Sequence, residues 1–178
     1  DEQRERAKAV NFGIIYGISD FGLSRNLKIS REEAKHYIDS YLDRYPKIKE
    51  YMEQIVEFGK TNGYVKTLYN RRRNLPELMS RNYNTRSFGE RIALNMPIQG
   101  TAAHIIKLSM ISVYNELKSK GLQSKLILQV HDELIIDAYK PELDIVIELL
   151  KNKMENVVDL SVPLIVEIAT ADNWYDTK

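Results

Sequence analysis

The chain has 178 residues, 43% apolar and 29% charged, with no cysteine and a net charge of +1. This suits a globular chain able to bury a core, without a bilayer-length apolar run or a signal-peptide pattern; disulfides and cysteine-held metals are excluded, in keeping with a reducing, intracellular setting. The charge is uneven: residues 1–90 hold 17 Lys and Arg against 13 Asp and Glu, residues 91–178 hold 9 against 12, which suits a polyanion grip beside carboxylates for a metal and equally an uneven solvated surface.

The chain opens without Met, inside a pattern that already reads as helix, as a piece of a longer protein would. That first helix runs over 3–16 and stops at Gly17. A helical turn follows around Phe21 to Asn26. Ser30 and Glu33 form a capping box, and Ala34, Tyr37, Ile38, Tyr41, Leu42 and Tyr45 then repeat at helical spacing. Pro46 breaks that helix. The next one faces inward with Ile48, Tyr51, Met52, Ile55 and Val56 and ends at Asn62-Gly63. At this spacing the tyrosines read as core rather than as stacking platforms.

Residues 64–78 read as extended or looped and carry Arg71, Arg72 and Arg73. A long helix runs from Thr85 to Leu117, weakened by Gly89, with Pro97 and Gly100 as candidate breaks. Lys125–Val130 and Glu133–Asp137 read as two strands of a tight hairpin with His131 and Asp132 at its tip. Pro141 opens an amphipathic helix with Leu143, Val146, Ile147, Leu150 and Met154 inward, and Val162 to Ile168 reads as a last strand. The fold class is α+β.

Three groups of residues have the makings of chemistry. Arg4, Lys8, Phe12 and Tyr16 recur every four residues, so they form one slowly drifting stripe on a helix. Two cations followed by two rings suit a nucleotide's phosphates, sugar and base. An amphipathic helix with its cations outside and its rings inside has the same spacing. Arg91, Asn95 and Gln99 repeat the step with groups that can bind phosphate, sugar and base edges, as an ordinary exposed helix face also does. Gln129-Val130-His131-Asp132-Glu133 places adjacent carboxylates at a hairpin tip, where burial would demand neutralisation. A hard cation such as Mg²⁺ suits them. Zinc does not, because no further His or Cys cluster accompanies His131.

These motifs, in this order, resemble family A DNA polymerases over nearly the whole chain. RERAKAVNFGIIYG, with Arg4, Lys8, Phe12 and Tyr16-Gly17, is similar to the family's motif B. GYVKTLYNRRRNLPEL at 63–78 is similar to the link from fingers to palm. RIALNMPIQGTAA at 91–103 is similar to the palm helix, and QVHDEL at 129–134 to motif C. Asn70 stands where the family usually has Gly, and His104 where it has Asp. The motif A Asp-Tyr-Ser-x-x-Glu segment is not among these residues.

The resemblance implies a DNA-directed DNA polymerase of the bacterial polymerase I type, cytoplasmic and not membrane-bound, acting in replication and repair by two-metal nucleotidyl transfer. Residues 1–86 would be a fingers portion and 87–178 the C-terminal part of the palm. Partners would be primer-template DNA, deoxynucleoside triphosphates and the remaining N-terminal part of the same polymerase, with two Mg²⁺ ions as cofactor. Asp132 would ligate metal and Glu133 would support it. Arg4 and Lys8 would hold the triphosphate, with Lys8 placed to protonate pyrophosphate. Phe12 would lie at the sugar, where a Tyr goes with dideoxynucleotide acceptance, and Tyr16 at the nascent base pair. His131 would touch the primer terminus. Arg91, Asn95 and Gln99 would contact the duplex, and Arg71 to Arg73 either phosphate or acidic partners. The fragment alone would be inactive without the motif A aspartate. A non-catalytic nucleic-acid-binding module and a phage-type family A RNA polymerase are the alternatives.

Overall fold

A computed structural model describes residues 2–177, which form an α+β fold of helices followed by a hairpin and a further helix. The chain forms two compact units, Asp1–Thr101 and Ala102–Lys178.

The first unit holds α1 (Glu2–Ile15), α2 (Asp20–Leu27), α3 (Arg31–Arg44), α4 (Pro46–Asn62), the antiparallel strands β1 (Tyr64–Lys66) and β2 (Arg72–Asn74), a 3-10 turn (Pro76–Met79) and the first part of α5 (Tyr83–Ser119). Local chemistry sets the boundaries. Ser19 Oγ accepts the Gly22 N–H at 3.1 Å, and Ser30 Oγ accepts the Glu33 N–H at 3.0 Å, so each caps a helix start. The Glu33 carboxylate does not reach back as a full capping box would; it takes the Tyr37 hydroxyl at 3.4 Å. Pro46 opens α4, where its missing N–H costs nothing, and Gly63 closes it at φ 76°.

The unit's core is Val65, Leu75, Leu78 and Ala93, with Ile55, Val56, Ile92 and Met96 packed around it. Tyr37 of α3, 41% exposed, and Tyr45 just past its end, 50% exposed, are not part of it, and Tyr41 between them is half-buried. That helix is polar nearly all round and buries only Ala34, so the aromatic spacing puts Tyr37 and Tyr45 at the surface and not in a core. Gly89 has a packing reason, since a β-carbon there would lie 2.9 Å from Glu77 Cβ.

The candidate breaks in α5 are not breaks. The helix runs unbroken through Pro97 and Gly100. Pro97 removes the bond that its own N–H would have made to the Ala93 carbonyl; Thr101 Oγ1 donates to the Pro97 carbonyl at 2.5 Å, which does not replace it. Burial of Ala93 and Leu94 on the preceding turn holds the helix in register.

The second unit holds the rest of α5, the hairpin β3 (Lys125–Val130) and β4 (Glu133–Asp137), a 3-10 turn (Lys140–Glu142), α6 (Leu143–Glu155) and a last 3-10 turn (Tyr175–Thr177). Its core joins Val113 and Leu117 of α5 to Val146 and Leu149 of α6, with Leu126, Leu134 and Ile136 of the hairpin packed against them. The expected strand at Val162–Ile168 does not form among the described residues. Pro163 has no N–H to give a ladder, and the Val166 N–H goes to Glu155 Oε1 at 3.1 Å. Val162 is 70% and Ile165 81% exposed while Leu164, Val166 and Ile168 are half-buried, so among the described residues no strand pairs with this run.

Candidate functional site

Among the described residues of helix α1, Ile14 is the buried one. Arg4, Lys8 and Phe12 are exposed on it, and Tyr16, the residue just past its end, is exposed too. The arrangement with rings inside is thus excluded. The Phe12 and Tyr16 rings stack outside, centroids 6.2 Å apart and planes 24° apart. Two bonds end the helix at this point: Ile18 N–H donates to Gly13 O at 2.8 Å and Gly17 N–H to Ile14 O at 2.9 Å. This is a Schellman closure, which needs a left-handed residue, and Gly17 supplies it at φ 75°.

The end of α1 meets α5. Asn95 Nδ2 donates to the Tyr16 carbonyl at 3.4 Å and to Arg91 O at 2.8 Å. Arg91 Nη1 donates to Ser87 Oγ at 3.0 Å, and its guanidinium lies 5.9 Å from the Phe88 ring centroid. Arg91, Asn95 and Gln99 line one concavity of about 290 Å³, and Arg73 of β2 lines it with them. Behind these residues, burial raises the Tyr51 hydroxyl's pKa, and that hydroxyl donates to Leu94 O at 3.4 Å.

The β1–β2 turn carries the three arginines. Asn70 sits at φ 59°, the left-handed backbone that makes Asn a workable substitute for Gly. Arg71, Arg72 and Arg73 are exposed. The Arg72 guanidinium lies 4.6 Å from the Tyr64 ring centroid. No ion pair to any of the three occurs among the described residues, which leaves their charge available to an anion.

In the second unit, Val130 pairs with Glu133, and His131 and Asp132 make the two-residue turn. His131 takes φ 53°, a left-handed strain of about 1–2 kcal/mol, and Gln129 Nε2 donates to its carbonyl at 2.6 Å. His131, Asp132 and Glu133 are exposed. The expected burial penalty is therefore absent, and folding alone does not demand a cation there. The donor chemistry still fits one: two successive carboxylates are hard ligands for a Mg²⁺ that keeps water or phosphate ligands. No group of three potential ligands is assembled among the described residues, so further ligands would come from elsewhere.

Two supports of this tip went unseen in the sequence. The register shifts between Leu126 and Leu128, so Ile127 is a bulge that turns the strand toward its tip. At the hairpin's base, the Glu142 carboxylate accepts the Gln123 N–H at 3.0 Å and the Ser124 N–H and hydroxyl at 3.0 and 2.7 Å. The Ser124 hydroxyl in turn accepts the Tyr139 N–H at 3.0 Å. The bond from Gln123, then that from the Ser124 hydroxyl, hold the Glu142 carboxyl below its ordinary pKa. Serine and glutamate 18 residues apart leave no periodic signal.

The family model for DNA polymerase family A matches residues 1–176. DNA polymerase I of Caldicellulosiruptor bescii is 57% identical over 177 residues, which is 99% of this chain and 21% of that protein. DNA polymerase I of Bacillus subtilis is 55% identical over 175 residues, 98% of this chain and 20% of that protein. The POL domain of Pol1 from M. smegmatis, in complex with DNA primer-template and dNTP, superposes with a TM-score of 0.96 at 42% identity, covering 99% of this chain and 31% of that one. The chain spans about a fifth of the length of these curated relatives. Among the described residues no helix is long and apolar enough to cross a membrane.

Proposed function

Because the chain belongs to DNA polymerase family A, we propose that it supplies the nucleotide-gripping helix and one acidic motif of a template-directed DNA polymerase. Residues 1–86 are the fingers portion and 87–178 the C-terminal palm portion. The reaction adds a deoxynucleotide to a primer 3′ end. The 3′-hydroxyl gives up its proton to solvent as its oxygen bonds to the α-phosphorus, and the bond from that phosphorus to the pyrophosphate oxygen breaks.

The observation that carries this reading is the exposed strip on α1, with its stacked Phe12 and Tyr16 rings beyond two cations. Arg4 and Lys8 hold the triphosphate, and Lys8 gives a proton to the departing pyrophosphate. Phe12 lies against the sugar and Tyr16 beside the nascent base pair. Arg91, Asn95 and Gln99 hold the duplex, with Arg71 to Arg73 on its phosphates. His131 contacts the primer terminus. Asp132, supported by Glu133, would hold Mg²⁺ together with an aspartate outside this chain. Bound Mg²⁺ would neutralise charge on the attacking and leaving oxygens.

Lys8→Ala in the full-length protein tests the reading. Lys8 would face phosphates whose negative charge grows in the transition state, so single-turnover incorporation should slow by about a hundredfold. Duplex affinity should change by no more than about threefold, since the contact is with nucleotide. Equal losses in rate and duplex affinity would make Lys8 a DNA contact and remove the assignment.

A further inference from the structure

One side-chain hydroxyl joins the β1–β2 hairpin to α5. Thr101 Oγ1 accepts the Leu68 N–H at 3.0 Å and donates to the Pro97 carbonyl at 2.5 Å. Both roles of the hydroxyl are thus used, one on each element. The next contact is one residue earlier: a β-carbon at Gly100 would lie 2.7 Å from Thr67 Cγ2, so the hairpin rests on bare helix backbone.

The turn itself is stiff. Thr67 is 3% exposed. Its N–H donates to Arg71 O at 3.0 Å, its carbonyl accepts the Asn70 N–H at 2.9 Å, and its hydroxyl accepts the Arg71 N–H at 3.2 Å. An error in docking at Thr67 and Leu68 would therefore be carried to the arginines as a rigid shift.

The shift matters most at Arg73. It lines the concavity that Arg91, Asn95 and Gln99 share, but it comes from β2, whereas those three come from α5. The α5 residues keep their mutual spacing whatever the hairpin does. The place of Arg73 among them depends on the dock.

We propose that Thr101 is a positioning residue for duplex DNA: its hydroxyl fixes the hairpin on α5 so that Arg73 and Arg91 grip one stretch of backbone phosphate. The inference rests on the reading of this face as a DNA contact. A charge-assisted bond to phosphate is short and directional, so displacement by about 1 Å is enough to lose it.

The test is primer-template affinity of the full-length protein over a salt series. Thr101→Val keeps the volume and removes the hydroxyl. It should weaken binding about tenfold at low salt and reduce the salt slope by about one, as loss of one phosphate contact does. Arg73→Ala should do the same, and Thr101→Val should add little in the Arg73→Ala background. Thr101→Ser should restore wild-type binding. Gly100→Ala, which keeps the hydroxyl but lifts the hairpin, should resemble Thr101→Val and serves if that variant folds poorly. Full additivity of Thr101→Val with Arg73→Ala, or no rescue by Ser, overturns the proposal. If Arg91→Ala weakens binding while Thr101→Val and Gly100→Ala do not, only the positioning role fails. If neither Arg91→Ala nor Arg73→Ala alters affinity or salt slope, the DNA reading of the face fails.

Discussion

Gly17 rests directly on Leu94: a β-carbon at Gly17 would lie 2.7 Å from Leu94 Cδ1 and 3.5 Å from Arg91 Cγ. The turn that ends the α1 strip is thereby seated on the helix that carries Arg91, Asn95 and Gln99. Gly63 makes a matched control, with φ 76° against 75° at Gly17 and no atom within 4 Å of the added carbon. Gly63→Ala should cost about 1 kcal/mol, the left-handed strain alone. Gly17→Ala should cost about 1–3 kcal/mol more, because the methyl overpacks against Leu94. Nucleotide affinity should fall for Gly17→Ala only, since Tyr16 precedes it. Denaturation and nucleotide titration of both variants check this; equal costs would mean the Leu94 contact relaxes freely.

Phe12 is 54% exposed and stacked on Tyr16, so a para-hydroxyl can be added without overpacking. With Phe, no ring hydroxyl can stand in for an absent sugar 3′-hydroxyl. The full-length protein should therefore discriminate against dideoxynucleotides, and Phe12→Tyr should narrow the preference by about tenfold or more, the worth of one good hydrogen bond. Competition between deoxy- and dideoxynucleotides measures it. An unchanged ratio would place the ring away from the sugar.

The Glu142 network predicts a pH dependence. The folded carboxyl is held below its ordinary value of 4.5, first by the Gln123 N–H. A carboxyl depressed on folding contributes stability that is present above the ordinary value and lost as pH falls through the depressed one. Protection of the Gln123 and Ser124 amides, corrected for intrinsic exchange, should exceed that in Glu142→Gln at neutral pH. The difference should shrink as acid protonates Glu142. A difference that stays constant into acid would mean the carboxylate charge plays no part. The network braces the base of the hairpin whose tip bears Asp132, so Glu142→Gln should also loosen that strand pair.

What was legible in the sequence was periodic or local. Helical spacing marked α3 to α5, Ser30 marked the start of α3 and Gly63 the end of α4, and an apolar–polar–apolar run marked the β3–β4 hairpin. The four-residue step of Arg4, Lys8, Phe12 and Tyr16 gave the stripe, but not which way it faced. That depended on Ile14 being the residue the unit buries. Spacing failed for Tyr37 and Tyr45, because a stripe of rings is the same in a core as on a surface. It failed for Pro97, because the bond lost at proline is local while the packing of Ala93 and Leu94 is not. Val162 to Ile168 had strand composition, but a strand also needs a neighbour. The hydroxyl of Thr101 and the Ser124–Glu142 contact join residues 33 and 18 positions apart, a separation at which sequence carries no periodic signal.

The 178 residues by themselves should not extend a primer. Two-metal transfer needs carboxylates on both sides of the ion pair, and the described residues assemble no group of three potential ligands. Asp132 and Glu133 offer hard donors from one exposed tip. Added Mg²⁺ cannot replace a ligand that also fixes the nucleotide, because misplacement by about 1 Å can cost on the order of a hundredfold in rate. The isolated chain should also self-associate, since the two-stranded hairpin leaves unpaired edges and Ile127 and Ile165 are 59% and 81% exposed. Primer extension by the purified chain, beside an Asp132→Ala control against contaminating polymerase, decides the first point, and sedimentation over a concentration series the second. Extension that vanishes in the control would mean that these residues complete a catalytic site, and that the ligand set need not be shared with any other segment.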